Sequence, residues 1–65
     1  MVGAAIKTYL DNEGIKYSAL AKRTDMSLNT LSAMLNCKRK MTAEEYFRIC
    51  SALGVDAGYF VDKGF

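Results

Sequence analysis

Histidine and proline are both absent from this 65-residue chain, and cysteine occurs only twice. Without histidine, acid–base or nucleophile pairs built on an imidazole ring are excluded, and two cysteines alone cannot complete a structural zinc site. No glycine-rich phosphate loop occurs, and a chain of this length leaves little room for a catalytic cleft. We therefore expect no enzymatic activity, no metal, no cofactor and no small-molecule ligand.

Long apolar runs are missing as well. No run approaches the ~18 residues that a membrane span requires, and residues 1–10 lack both the apolar segment and the cleavage site of a secretory signal. Two cysteines without such a signal do not form a disulfide framework. The sequence thus predicts a cytoplasmic protein that does not associate with membranes, with Cys37 as a loop thiol and Cys50 as a core residue.

Composition and charge favour a small helical globule with a basic centre. Hydrophobic residues make up 51% of the chain and charged residues 25%, which suits a folded domain better than a disordered tail. The net charge is +2, yet residues 16–40 carry +5, whereas residues 1–15 carry −1 and residues 41–65 carry −2. The basic excess marks where a polyanion would dock, although an ordinary solvated charge distribution explains the same pattern.

The first two helices follow from apolar spacing and stop signals. Helix 1 is expected over about residues 2–13, ending at Gly14, where a left-handed residue can close a helix. Helix 2 is expected over about residues 17–23. Lys16 before it is a poor N-cap, so the sequence offers no good cap here unless Ser18 takes that place and the helix starts after it.

A tight turn and a third helix come next. Asp25 is the best candidate for a positive φ in the turn, because Asp tolerates the left-handed region better than most residues. Ser27 is a strong N-cap for helix 3, about residues 28–36, and residue 36 or 37 must then turn the chain. The apolar spacing predicts a core-facing stripe in helix 3, made of Leu28, Leu31, Met34 and Leu35. It leaves four small or polar residues facing outward, namely Asn29, Thr30, Ser32 and Ala33.

The fourth helix has the clearest start signal in the chain. Thr42 and Glu45 form a capping box, and Gly54 is the C-terminal stop. Apolar contacts are expected from Tyr46, Phe47, Ile49, Cys50 and Leu53. Asp56 can cap a short fifth helix over residues 57–61. The prediction is one compact all-α domain, residues 1–65, with four or five helices and a helix-turn-helix at helices 2 and 3.

The order and spacing of short motifs resemble the phage repressor and Cro type of helix-turn-helix domain, the lambda repressor-like or XRE-type family. The motifs are Ile6-Lys7, Gly14-Ile15, Leu20-Ala21, Ser27, Leu31-Ser32, Asn36 with Lys38-Arg39, and Ile49 through Ala52-Leu53-Gly54-Val55 to Phe60. The resemblance implies a domain that places helix 3 in the major groove of double-stranded DNA, usually as a two-fold homodimer.

Carried over residue by residue, the resemblance places the base-reading positions of the family at Leu28, Asn29, Ser32 and Ala33. Asn29 is the best reader, since its amide can pair with adenine N6 and N7, whereas Leu28 or Ala33 could touch a thymine methyl. The alternatives stay open: Asn29 is equally a solvated surface residue, and Leu28 is equally a core or dimer contact.

Contacts to the DNA backbone are implied at the start of helix 2, along the start of helix 3 and in the loop after it. The residues are Lys16, Tyr17, Ser27, Thr30, Lys38, Arg39 and Lys40. For Ser27 the capping role is the safer interpretation, and the three consecutive cations also suit a solvated loop.

The chain departs from the family pattern at several positions. Tyr17 stands where the family commonly has Gln, and Asp25 and Cys37 stand where it has Gly. Leu10 and Leu35 occupy the positions of a frequent Arg–Glu ion pair, and an apolar pair there is often neutral or stabilising.

The outward face of helix 3 offers one amide and two hydroxyls but no cation, so direct readout would be sparse. The preferred hypothesis is a sequence-specific DNA-binding transcriptional repressor. The alternative is a protein-interaction or antitoxin-like adaptor on the same scaffold, with little DNA binding. Surplus aromatic residues near the C-terminus suggest a dimer interface at Val55, Tyr59 and Phe65, unless these residues complete the core of the monomer.

Overall fold

The computed structural model describes residues 2–61, which form four helices and no strand. The helices are α1 (Val2–Glu13), α2 (Tyr17–Thr24), α3 (Leu28–Leu35) and α4 (Ala43–Leu53). Each lies within one residue of its predicted bounds, and the all-α helix-turn-helix prediction is confirmed. None of the described helices has the length and apolar character needed to cross a membrane.

The core lies where the helices meet, because α1 packs against α3 and α2 packs against both α3 and α4. Burying one leucine or isoleucine side chain stabilises a fold by about 1.5–3 kcal/mol. The buried apolar residues are Ile6, Leu10, Leu20, Ala21, Leu31, Met34, Leu35, Ile49, Cys50 and Phe60. Leu10 and Leu35 are both among them, so the apolar pair that the sequence places at these positions is buried.

Each helix ends with the same pair of backbone hydrogen bonds around a left-handed residue. After α2, Asp25 has φ 58°, and its N–H donates to the carbonyl of Lys22, while the N–H of Met26 donates to the carbonyl of Ala21. This is the Schellman arrangement, which satisfies the last carbonyls of a helix. The predicted positive φ at Asp25 is confirmed, and the half-buried Met26 packs against the core.

The turn after α3 follows the same pattern with a cysteine at its left-handed position. Cys37 has φ 60°, and its N–H donates to the Met34 carbonyl at 3.1 Å, while the N–H of Lys38 donates to the Ala33 carbonyl at 2.8 Å. Gly14 and Gly54 hold the corresponding positions after α1 and α4, with φ 68° and 71°. Two of the four helix ends therefore place a residue with a side chain where glycine is favoured.

The predicted capping box at the start of α4 is present. The Thr42 hydroxyl accepts from the N–H of Glu45 at 3.1 Å, and the N–H of Thr42 donates to the Glu45 carboxylate at 2.9 Å. At the start of α2, by contrast, Lys16 makes no side-chain cap, as predicted.

The short fifth helix predicted over residues 57–61 is wrong for residues 57–60, which form a turn. Asp56 does cap this segment: its carboxylate accepts from the N–H of Gly58 at 2.9 Å, and its carbonyl accepts from the N–H of Tyr59 at 3.0 Å. Those bonds close a single tight turn, which brings the buried Phe60 into the core. The Tyr46 hydroxyl also donates to the carbonyl of Ala57, and this bond fixes the turn against α4.

The crossing of α1 and α3 depends on Gly3. A Cβ atom at this position would lie 2.4 Å from the carbonyl oxygen of Met34, near the end of α3. Any larger residue would therefore push the start of α1 away from the last turn of α3.

Candidate nucleic-acid interface

The side of α3 that faces away from the core carries Asn29, Ser32 and Ala33. Asn29 is exposed, and Ser32 and Ala33 are half-buried. Residues three or four positions apart share one face of a helix, so these three side chains form a continuous strip. The strip lies opposite the buried residues Leu31 and Met34.

Leu28 is not part of the core, and this corrects the core stripe predicted from periodicity. Its side chain is 48% exposed, whereas Leu31, Met34 and Leu35 are buried. Leu28 lies at nearly the same angle around the helix as Leu35, but about 10 Å further along the axis. The other helices do not cover α3 that far, so an apolar side chain is left in solvent beside Asn29.

Hydrogen bonds order the first turn of α3. The Ser27 hydroxyl accepts from the N–H of Thr30 at 3.1 Å, so the predicted N-cap is confirmed. The same hydroxyl donates to the Thr30 hydroxyl at 2.8 Å. Because Thr30 receives that proton, its own hydroxyl proton remains available to an outside acceptor such as a phosphate oxygen.

Asn36 extends the strip, and sequence reasoning did not include it among the site residues. Its side-chain Nδ2 donates to the Ser32 carbonyl at 2.8 Å and to the Ser32 hydroxyl at 3.3 Å. Its Oδ1 accepts from Lys7 Nζ at 3.0 Å, so a cation of α1 reaches the end of α3. The position of Asn36, seven residues after Asn29, is the signal that could have identified it. Nothing local indicated Lys7, which is 29 residues away in sequence.

Residues 37–40, which we call the basic loop, follow directly. Lys38, Arg39 and Lys40 are all exposed. Within residues 2–61, Lys38 and Lys40 form no ion pair, so their charges are open to an anion. Arg39 differs, because its Nη1 lies 3.0 and 3.1 Å from the two carboxylate oxygens of Glu45.

Glu45 holds this loop against the start of α4. The hydrogen bond from Arg39 and that from the Thr42 N–H lower the pKa of the Glu45 carboxyl from its usual 4.5 to about 2. The carboxylate is therefore ionised at neutral pH, and it neutralises part of the positive charge of the loop.

The start of α2 presents Lys16 and Tyr17. Lys16 is exposed and Tyr17 is half-buried. Burial and, to a smaller degree, the charge of Asp11 raise the pKa of the Tyr17 phenol, which therefore stays protonated and able to donate. In the part of the chain that the structure describes, no hydrogen bond joins either side chain to α3. Of the predicted backbone contacts, Ser27 and Thr30 are therefore joined by hydrogen bonds, whereas Lys16 and Tyr17 stand apart from α3.

The sequence model of the Cro/C1-type HTH DNA-binding domain matches residues 5–59. This chain belongs to the Cro/C1-type helix-turn-helix family. No curated protein and no solved structure gives a significant match. At the family level the chain is a DNA-binding transcription regulator, and such domains are not enzymes.

In this Cro/C1-type domain, the matched segment contains every residue proposed above for base or backbone contact, as well as Lys7 and Asn36. The match covers α2, the turn at Asp25 and α3, which together are the helix-turn-helix unit. The outward strip of α3 therefore lies inside the segment that the family model matches.

The aromatic residues near the end of the domain are mostly engaged with one another. Tyr59 is 38% exposed, and its ring meets those of Tyr9 and Phe60 edge to face at centroid distances of 5.6 and 5.0 Å. Val55 is half-buried against the core. Phe65, the third residue of the predicted dimer interface, lies outside the described residues.

Phe47 corrects a further prediction, because it is 57% exposed rather than packed in the core. Its ring lies 6.1 Å from that of Tyr46, on the solvent side of α4. Sequence reasoning treated it as one of the apolar contacts of this helix. Among the described residues, Leu28 on α3 and Phe47 on α4 are the two most exposed of the large hydrophobic side chains, ahead of Val61 and Tyr59.

The two thiols are placed as predicted. Cys37 is exposed in the basic loop, and Cys50 is buried in the core, where burial raises the pKa of its thiol. Among residues 2–61, no group of three or more acidic, Cys or His side chains could hold a metal ion.

Proposed function

We propose that this chain is a sequence-specific repressor that binds double-stranded DNA through the outward strip of α3. One observation carries the proposal: the hydrogen-bonded outward strip of α3 lies next to Lys38 and Lys40, which form no ion pair within residues 2–61. Polar side chains on one face of a helix can reach base edges in the major groove, and lysines beside that helix can bind the phosphates that border the groove.

Four side chains of α3 are proposed to meet the base edges. Asn29 offers both a donor and an acceptor, the pair that matches adenine N6 and N7. Ser32 contributes a hydroxyl group. Leu28 and Ala33 contribute apolar carbons, which suit the methyl group of thymine. The exposure of Leu28 supports its role, since a core leucine could not reach DNA.

The backbone contacts are proposed to divide into two classes. Lys38 and Lys40 are unpaired among residues 2–61 and would each neutralise a phosphate, and Lys16 would do the same at the start of α2. Tyr17 and Thr30 would donate neutral hydrogen bonds, and Ser27, whose hydroxyl proton goes to Thr30, would take part by orienting the Thr30 hydroxyl. Arg39 would contribute less than the lysines, because Glu45 already binds it.

We also propose that the regulator acts in the cytoplasm as a homodimer that blocks transcription by occupying a roughly palindromic site. Val55, Tyr59 and Phe65 are the proposed dimer contacts, and the partial exposure of Tyr59 supports this choice. Sedimentation without DNA tests it: a dimer at high micromolar concentration is the expected result, and a monomer would contradict it.

A specific observation favours a second candidate function. Leu28 and Phe47 are large, apolar and exposed, and α3 carries no cation on its outward strip. Such a surface would also suit a protein partner, as in an antitoxin-like adaptor.

One binding experiment separates the two functions. Anisotropy of a labelled random duplex is measured with increasing protein at about 50 and about 200 mM salt. The repressor proposal predicts binding at micromolar protein that weakens steeply with salt. A Lys38→Ala, Lys40→Ala double variant should lower the salt slope by about two units, because each phosphate contact contributes about one. The absence of any salt-sensitive binding would contradict the repressor and favour the adaptor.

A further inference from the structure

Three side chains form a hydrogen-bonded chain from α1 to the outward strip of α3. Lys7 Nζ donates to Asn36 Oδ1 at 3.0 Å. Asn36 Nδ2 then donates to the Ser32 carbonyl at 2.8 Å and to the Ser32 hydroxyl at 3.3 Å. The direction of every bond in this chain matters for what Ser32 can offer to DNA.

Lys7 and the Ser32 carbonyl, at the two ends of the Asn36 amide, decide that direction together. An ammonium group has three donors and no acceptor, so only the oxygen of the Asn36 amide can face it. The amide nitrogen of Asn36 must then point toward Ser32. The Ser32 carbonyl requires the same orientation, because it can only accept a hydrogen bond, so each end of the Asn36 amide is held by its own partner.

The orientation of Asn36 in turn decides the role of the Ser32 hydroxyl. Since that hydroxyl accepts from Asn36, its own proton is free to be donated. Thr8 and Thr24 use their hydroxyl protons on the carbonyls of Ala4 and Leu20 one turn earlier, at 3.1 and 2.8 Å. In residues 2–61 the Ser32 hydroxyl donates to no acceptor, although it lies on a helix in the same way.

We propose that Lys7 and Asn36 are positioning residues that leave the Ser32 hydroxyl proton free for a hydrogen bond to DNA. A donor at this position selects base edges that accept in the major groove, which are purine N7, guanine O6 and thymine O4. It disfavours the N4 amino group of cytosine, which is a donor itself. The inference rests on the proposed function, in which the outward strip of α3 reads DNA.

The test is selection of binding sites from a random duplex library, followed by measured affinities for all four bases at each position. Ser32→Ala identifies the position that Ser32 reads, as the one where discrimination among bases disappears. The wild-type preference there is expected to be about two- to tenfold, the range for one neutral hydrogen bond.

Three further variants are compared at that position. Lys7→Met keeps the aliphatic stem but removes the donor, and Asn36→Asp offers only acceptors, so that Ser32 must donate to it. Asn36→Asp is expected to lose the preference against cytosine, and Lys7→Met, which leaves the Ser32 carbonyl as the only partner that holds the amide, is expected to weaken it. Lys7→Arg keeps the donors and is expected to retain the wild-type preference. Circular dichroism and thermal unfolding confirm that each variant is folded.

Two outcomes overturn the inference alone. If Lys7→Met weakens binding equally for every sequence and lowers the salt slope, while the base preference is unchanged, Lys7 is simply a phosphate contact. If Ser32→Ala changes no position, Ser32 does not read a base. If instead the wild-type protein enriches no sequence and its binding does not depend on salt, the proposed function itself has failed, and this inference falls with it.

Discussion

Arg39 in the basic loop binds both carboxylate oxygens of Glu45, the third residue of α4, at 3.0 and 3.1 Å. Glu45 also completes the capping box with Thr42, so one carboxylate secures the start of a helix and an adjacent cation at the same time. Arg39 thereby ties the basic loop to the start of α4. From the sequence alone, Arg39 was expected to contact phosphate in the same way as Lys38 and Lys40. Lys38 and Lys40 are left as the more available cations.

Glu45→Gln should strengthen DNA binding. Glutamine at the third helix position preserves the capping box but removes the negative charge, so Arg39 becomes free to meet a phosphate. We expect the affinity for duplex DNA at low salt to rise severalfold and the salt slope to steepen by about one unit. Titrations at a series of salt concentrations measure both quantities.

The matched comparison is Arg39→Ala, which should weaken binding less than Lys38→Ala or Lys40→Ala does in the same assay. An unchanged salt slope in Glu45→Gln, together with a large loss in Arg39→Ala, would show that Arg39 reaches phosphate in spite of Glu45.

The low pKa of Glu45 predicts a dependence of stability on pH. Since folding lowers this pKa from 4.5 to about 2, the ionised carboxylate stabilises the folded state above pH 4.5. That contribution is lost as the pH falls from about 4.5 toward 2, where the carboxyl becomes protonated in the folded state as well. Thermal unfolding of wild type and Glu45→Gln across this range should show the wild-type advantage shrinking as the pH falls. A constant difference between the two proteins would contradict the assignment.

Cys37→Gly should stabilise the domain. Cys37 has φ 60°, and a left-handed conformation costs a residue with a Cβ atom roughly 1–2 kcal/mol. Glycine removes this strain but gains entropy in the unfolded chain, so the net increase in the free energy of unfolding should be about 0.5–1 kcal/mol. Urea denaturation measures it. Gly54→Ala, at φ 71° after α4, is the reverse change and should destabilise by a similar or larger amount. If both substitutions raised, or both lowered, the free energy of unfolding, this explanation would be refuted.

The features predicted correctly from sequence are those that depend on a few neighbouring residues. The capping box needs only Thr42 and Glu45, and the N-cap of α3 needs only Ser27 and the next turn. The positive φ of Asp25 follows from the need to turn between two apolar runs. Local chemistry determines each of these features, so the helix bounds could be read within one residue.

The features that were missed depend on which parts of distant helices lie close together. Leu28 has the angular position of a core residue, yet no helix covers that end of α3. Phe47 is likewise apolar and exposed on α4. The bond from Lys7 to Asn36 joins residues 29 positions apart and requires α1 to cross the end of α3, a crossing that Gly3 permits. No periodicity within one helix contains this information.

The outward strip of α3 is proposed to read bases while the basic loop holds phosphates. A comparison of Asn29→Ala with the Lys38→Ala, Lys40→Ala double variant separates these two roles. Affinities are measured on a selected site and on all its single-base substitutions, at two salt concentrations. We expect Asn29→Ala to lose about 5- to 100-fold discrimination at one A·T pair and to keep the wild-type salt slope. The double variant should weaken binding to every sequence alike and lower the slope by about two units. Equal effects of both variants on every sequence would show that Asn29 does not read DNA.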